Sequence, residues 1–110
     1  MSIEWNNFID EKDGVIGYAI VKKGYKPYIH SHPTDEIYHF IKGTGKLYLN
    51  GDIHIISSPN KIFISKNTLH AMTAITDDVL IIYELTNGPF KNINKYVFFT
   101  KKYNYKNISI

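Results

Sequence analysis

Cysteine is absent from the 110 residues, which removes a disulfide framework and a thiolate metal site and leaves the redox compartment open. Arginine is absent too: all 13 basic residues are lysine, and the net charge is only +3. Nucleic-acid recognition leans on arginine for bidentate phosphate and guanine contacts, so no nucleic-acid partner is expected. The lysines are scattered except near the end, where Lys95, Lys101, Lys102 and Lys106 gather as a solvated tail or guarded edge. Long apolar runs are missing, and the start from Met1 to Asn7 has neither the basic nor the apolar stretch of a secretory signal. A cytoplasmic protein with no membrane partner is the expectation. Convincing amphipathic helices are missing as well, as are linkers, repeats and low-complexity blocks, so a single domain spanning 1–110 is expected.

Isoleucine, tyrosine and phenylalanine are abundant, and 44% of the chain is hydrophobic; such residues suit a pleated, half-buried surface. Strand-like runs recur between turn signals, the pattern of an all-β sandwich or barrel. The runs predict strands at Val15–Lys22, Tyr25–His32, Glu36–Ile41, Lys46–Leu49, Asp52–Ser57, Lys61–Ser65, His70–Ile75 and Val79–Leu85. Asn50-Gly51 is a strong hairpin signal. A barrel core from about 14 to 86 follows, with one more strand, Tyr96–Lys101, outside it. Ile3–Glu11 reads equally as a short helix or an irregular lead-in.

One string carries chemistry: Gly24-x5-His30-x-His32-x3-Glu36-x6-Gly43, with His70 standing 34 residues beyond Glu36. Imidazole nitrogen and carboxylate oxygen are the donors that hold a first-row divalent ion. His30 and His32 are two apart, so on a strand they share a face. Pro33-Thr34-Asp35 reads as a tight turn that brings Glu36 back beside the pair.

This spacing, glycines included, resembles the first motif of the cupin superfamily. The second cupin motif, roughly Pro-x-Gly-x2-His-x3-Asn, is matched more loosely by Ser65 to Ala74, in which His70 stands unchanged. Asn67 takes the glycine place, and asparagine tolerates a positive φ. The resemblance covers Gly24 to Ala74 and is closest to small single-domain, metal-binding cupins. It implies an all-β double-stranded β-helix with a metal site inside, near one mouth. The implied ligands are His30, His32, Glu36 and His70, holding one divalent transition metal (Fe, Mn, Ni, Co or Zn).

Strand parity nominates the surroundings. Tyr28 shares a face with His30, Tyr38 and Phe40 with Glu36, and Met72 with His70. A phenol beside a metal donates a hydrogen bond or exchanges a proton, so Tyr28 and Tyr38 are the candidate catalytic residues. Glu84 is a further candidate base whose strand parity is open. His39 is three residues from Glu36 and is expected to face away; His54 is expected at the surface.

Three imidazoles and a carboxylate leave open coordination positions for water or an oxygen-bearing substrate. The expectation is a metal-dependent enzyme acting on a small oxygen-rich metabolite, a sugar derivative or a keto or hydroxy acid, by Lewis-acid isomerase or lyase chemistry. An Fe(II) dioxygenase and a non-catalytic binding or structural barrel are the alternatives. A single domain without a DNA-binding region speaks against a transcription regulator. The outward residues Ile37, His39 and Ile41 and the apolar run Tyr96–Phe99 point to a homodimer.

Overall fold

Apolar and polar side chains alternate along most of the chain, and the computed structural model turns that alternation into two facing antiparallel sheets. It describes residues 3–10, 14–88 and 98–99. The strands are β1 (Ile3–Asp10), β2 (Gly14–Lys22), β3 (His30–Ser31), β4 (Asp35–Lys42), β5 (Thr44–Leu49), β6 (Asp52–Ser57), β7 (Asn60–Ile64), β8 (His70–Ala74), β9 (Asp78–Thr86) and β10 (Phe98–Phe99). One sheet has the order β1-β2-β9-β4-β7 and the other β10-β3-β8-β5-β6. Two facing antiparallel sheets in these orders are the double-stranded β-helix expected from the sequence. Among the described residues no helix is long and apolar enough to cross a membrane.

The core fills the space between the sheets. On β4 the side chains alternate strictly, so Glu36, Tyr38 and Phe40 point inward while Ile37 and His39 point out. From β9, Val79, Ile81, Tyr83 and Leu85 enter the same core. Leu47, Ile56, Met72 and Ala74 of the second sheet meet them. β8 lies inside its sheet and buries all five of its residues.

Turns are set by backbone conformations that few residues adopt. Asn50 and Gly51 have φ of 45° and 96°, the left-handed pair that a two-residue hairpin needs between β5 and β6. Asn67, standing where the cupin motif has glycine, has φ of 62°, so the asparagine does the glycine's conformational work.

Three expectations change. The stretch read as a helix or irregular lead-in is a strand, β1, paired residue for residue with β2 from Ile3↔Val21 to Asp10↔Gly14. Only His30–Ser31 of the expected strand Tyr25–His32 is a strand. Pro27 interrupts that run, and proline lacks the N–H that a ladder uses. At the far end, Phe98–Phe99 does not stand apart; it pairs with β3 as the edge of the second sheet. The rest of Tyr96–Lys101 lies outside the described residues.

Candidate metal centre

Antiparallel pairing of β3 with β8 sets His30 directly opposite His70, with ring centroids 4.3 Å apart. His32 follows β3, its ring 6.1 Å from that of His30 and 5.0 Å from that of His70. One donor atom from each of the three imidazoles lies within 4.8 Å of the other two. Glu36 reaches the cluster from the opposite sheet. Its Oε1 is 3.1 Å from His70 Nε2 and 3.4 Å from His32 Nε2. His70, Glu36 and His32 are 1%, 5% and 6% exposed, so water contributes little to solvating them.

Outer contacts orient the rings. His30 Nδ1–H donates to the Tyr28 carbonyl at 3.0 Å, and His70 Nδ1–H donates to the Thr68 carbonyl at 2.8 Å. A carbonyl only accepts, so these bonds place a proton on Nδ1 of both rings and turn Nε2 of each toward the centre. His32 Nδ1 meets Thr34 Oγ1 at 2.8 Å, and Thr34 is fully buried. Metal-bound histidines are held by such second contacts.

The inner atoms then test whether an ion fits. His70 Nε2 and Glu36 Oε1 are both buried, and neither has an aligned hydrogen bond although they face each other. A buried imidazole nitrogen facing a carboxylate oxygen is satisfied by a cation shared between them, a proton or a metal ion. Nitrogen and oxygen donors of this kind suit a first-row divalent ion. The three histidines supply the mutually close set, and Glu36 stands within reach of two of them.

Charges are poised accordingly. Burial, reinforced by His70, lowers the His30 pKa from 6.5 to about 4, so its ring is neutral near pH 7. Burial pushes the Glu36 carboxyl up, but the neighbouring His32 and His70 outweigh it and hold the pKa at about 2, below the ordinary 4.5. Both folded-state values lie below those of the unfolded chain. Unfolding therefore takes up protons below about pH 6.5, first on His30 and then on Glu36, and stability rises with pH across that range. The metal-free protein is expected to lose stability steadily from pH 6.5 toward pH 2. Urea midpoints measured in chelator across this range check it; a flat midpoint from pH 7 to pH 4 would refute it.

Phenols surround the carboxylate on the core side. Tyr38 is buried, with its ring 6.3 Å from His70. Burial, the charge of Glu36 and a hydrogen bond to Glu36 raise its pKa well above the usual value, so it stays protonated. Tyr83, directly across from Tyr38 on β9, is pushed up to about 12 by burial and by Glu36. Sequence reasoning missed Tyr83. Both faces of Val79–Leu85 are apolar, so alternation alone could not say which face turns inward. Glu84 takes the outer face, where it is bonded to His39 at 2.9 Å, and His54 is exposed. Tyr28 is 48% exposed. No strand covers 25–29, and the Tyr28 carbonyl accepts from His30 Nδ1. Thr34 and Thr68 carried no sequence signal beyond turn chemistry.

Residues 21–84, more than half of the chain, match the model of the AraC-like ligand binding domain. No curated protein matches it. Among solved structures, KdgF from Halomonas sp. superposes with a TM-score of 0.70 at 20% identity, over 76% of this chain and 77% of that one. The DMSP lyase DddQ from Ruegeria pomeroyi DSS-3 gives 0.76 at 14% identity, over 91% of this chain but 52% of its own. A cupin 2 conserved barrel domain protein from Leptotrichia buccalis gives 0.73 at 23% identity, over 78% and 41%. The chain thus spans about half the length of the latter two, and likeness at these identities shows the fold alone. By the family match, this chain belongs to the AraC-like ligand binding domain family, a cupin-type barrel.

Proposed function

We propose that the protein is a metal-dependent cupin that binds a small oxygen-rich metabolite, a sugar derivative or a keto or hydroxy acid, and acts on it by isomerase- or lyase-type chemistry. The observation that carries this reading is the buried pair His70 Nε2 and Glu36 Oε1, which face each other without an aligned hydrogen bond. His30, His32, His70 and Glu36 would hold one divalent transition ion. When bound, such an ion supplies Lewis acidity toward a carbonyl or hydroxyl oxygen.

The chain's own residues do the rest. Carbonyls and Thr34 fix the imidazoles. Tyr38, held protonated by burial and by the charge of Glu36, carries the proton that a substrate oxygen needs as charge develops on it. Buried apolar neighbours such as Phe40, Ile64 and Leu85 keep bulk water from that phenol. A solved structure with a similar barrel, DddQ, is named as a DMSP lyase, which supports the lyase-type reading.

Tyr38→Phe removes only a hydroxyl. It is expected to leave metal content intact while turnover of the responsive sugar or hydroxy acid falls about 100-fold or more. The check is a panel of such acids followed by NMR with Mn-, Fe- and Zn-loaded protein. Loss of metal from Tyr38→Phe would refute the assignment. A ligand that binds but is never turned over would favour the second reading, a binding domain without catalysis, which the family match supports.

The assembly proposed is a cytoplasmic homodimer. Ile16, Ile41, Phe63 and Ile82 are exposed on or beside the outer face of the first sheet, around the His39–Glu84 pair. Light scattering across the micromolar range is expected to give twice the chain mass, and a monomer mass rules the dimer out.

A further inference from the structure

None of the four proposed donors lies in the middle of a long strand. His30 opens the two-residue β3, His32 lies beyond it, Glu36 is second in β4 and His70 opens β8. The ladders set His30 opposite His70 and hold Glu36 in β4, but they do not reach His32; contacts between loops fix the His32 segment against the His70 segment. The loop 65–69 leading into His70 touches the turn 32–35 twice. Asn67 N–H donates to the His32 carbonyl at 2.8 Å, and Lys66 N–H donates to Asp35 Oδ1 at 2.9 Å. The other Asp35 oxygen accepts from Asn87 Nδ2 at 2.9 Å, just past the end of β9. Lys66 Nζ closes the triangle at the Asn87 carbonyl, 3.4 Å away. The far end of the same loop is bound to the β5–β6 hairpin, through Asn50 N to the Leu69 carbonyl and Leu69 N to Asn50 Oδ1.

We propose that Asp35 is the positioning residue of the metal centre, its two carboxylate oxygens fastening the His70 loop and the end of β9 to the turn that carries His32 and Glu36. The proposal rests on the metal-dependent reading of the site. Asp35 touches neither the ion nor a ligand; it acts by setting the distance between the His32–Glu36 segment and the His70 segment. Its bonds are exposed, and exposed hydrogen bonds contribute little to global stability because water replaces them. A few tenths of an ångström at the donors matter far more, since a metal tolerates little variation in bond length.

Removing both acceptors, against keeping the two bonds without the charge, gives the test. D35A takes away both oxygens, so Lys66 N–H and Asn87 Nδ2 lose their shared partner. D35N keeps an oxygen for Lys66 N–H and turns its NH2 toward Asn87, whose own amide presents Oδ1 in return, so both bonds persist with the second reversed. Wild type, D35A and D35N are loaded with Co(II). Affinity is read by chelator competition, geometry by the visible ligand-field bands, and fold by urea midpoints of the metal-free proteins. D35A is expected to lose about 10-fold or more in Co(II) affinity, with shifted bands and a nearly unchanged midpoint. D35N is expected to keep both affinity and bands close to wild type. D35A binding Co(II) as wild type does, or D35N losing as much as D35A, overturns the proposal alone. Wild-type protein that takes up no Co(II) overturns the metal reading and this proposal with it.

Discussion

Reconstituted and freed of excess metal, the wild-type protein is expected to hold one divalent transition ion per chain, and His32→Ala to hold it at least about 100-fold more weakly. The figure is a floor, because losses of that size follow from disturbing residues that merely support a ligand. His32 is the donor whose replacement is cleanest. It belongs to no strand, so the ladders around it survive. Its ring lies nearly perpendicular to that of His70 at 5.0 Å and is 6% exposed. Truncation opens a water-sized space beside the ion and leaves Thr34 Oγ1 without its partner. His39→Ala is the matched control: the same residue type, on the outer side of the adjoining sheet and bonded to Glu84. Elemental analysis showing equal metal in wild type and His32→Ala would refute the ligand set.

A second large effect is expected in the scaffold. Gly43 joins β4 to β5 with φ of 87°. A Cβ there would run into the Asp78 carbonyl and lie 2.7 Å from Thr76 Oγ1. Neither neighbour is free to retreat. Thr76 Oγ1 accepts from Thr44 N at 3.0 Å and donates to the Asp78 carbonyl at 3.1 Å. Gly43→Ala therefore combines an unfavourable backbone conformation with a clash against main chain, and about 3 kcal/mol or more of destabilisation is expected. Gly51→Ala separates the two causes. Its φ of 96° is equally left-handed, but nothing lies within 4 Å of the Cβ position, so only the backbone part remains, about 1 kcal/mol. Equal losses in urea titrations of the two variants would show that the steric argument at Gly43 is wrong.

The convergence of His30, His32, Glu36 and His70 was legible because ligand chemistry and strand period act at short range. Parity put Tyr38 inward and His39 outward for the same reason. Asn67 was legible through its tolerance of positive φ. What stayed hidden depends on distant partners. β1 carries Asn6 and Asn7 in a run of weak alternation and becomes a strand because β2 offers it a ladder. Tyr83 needed knowledge of which apolar face of β9 meets β4. The strand expected from Tyr25 starts only at His30, because Pro27 lies in the run and its effect on the ladder was not read. Asp35, read as part of a turn, gained its role only when residues 66 and 87 came beside it.

His30, His32 and Glu36 fall within seven consecutive residues, while His70 comes from another part of the chain. The short segment keeps its three donors near one another even in the denatured chain. An ion can therefore associate weakly with the unfolded polypeptide, and any such affinity subtracts from the thermal protection that native-state binding confers. The protection depends on what His70 and the closed barrel add. A rise in melting temperature smaller than the native-state dissociation constant implies would reveal this residual chelation, and agreement between the two would exclude it. The same segment gives the ion a local foothold before the two sheets have met.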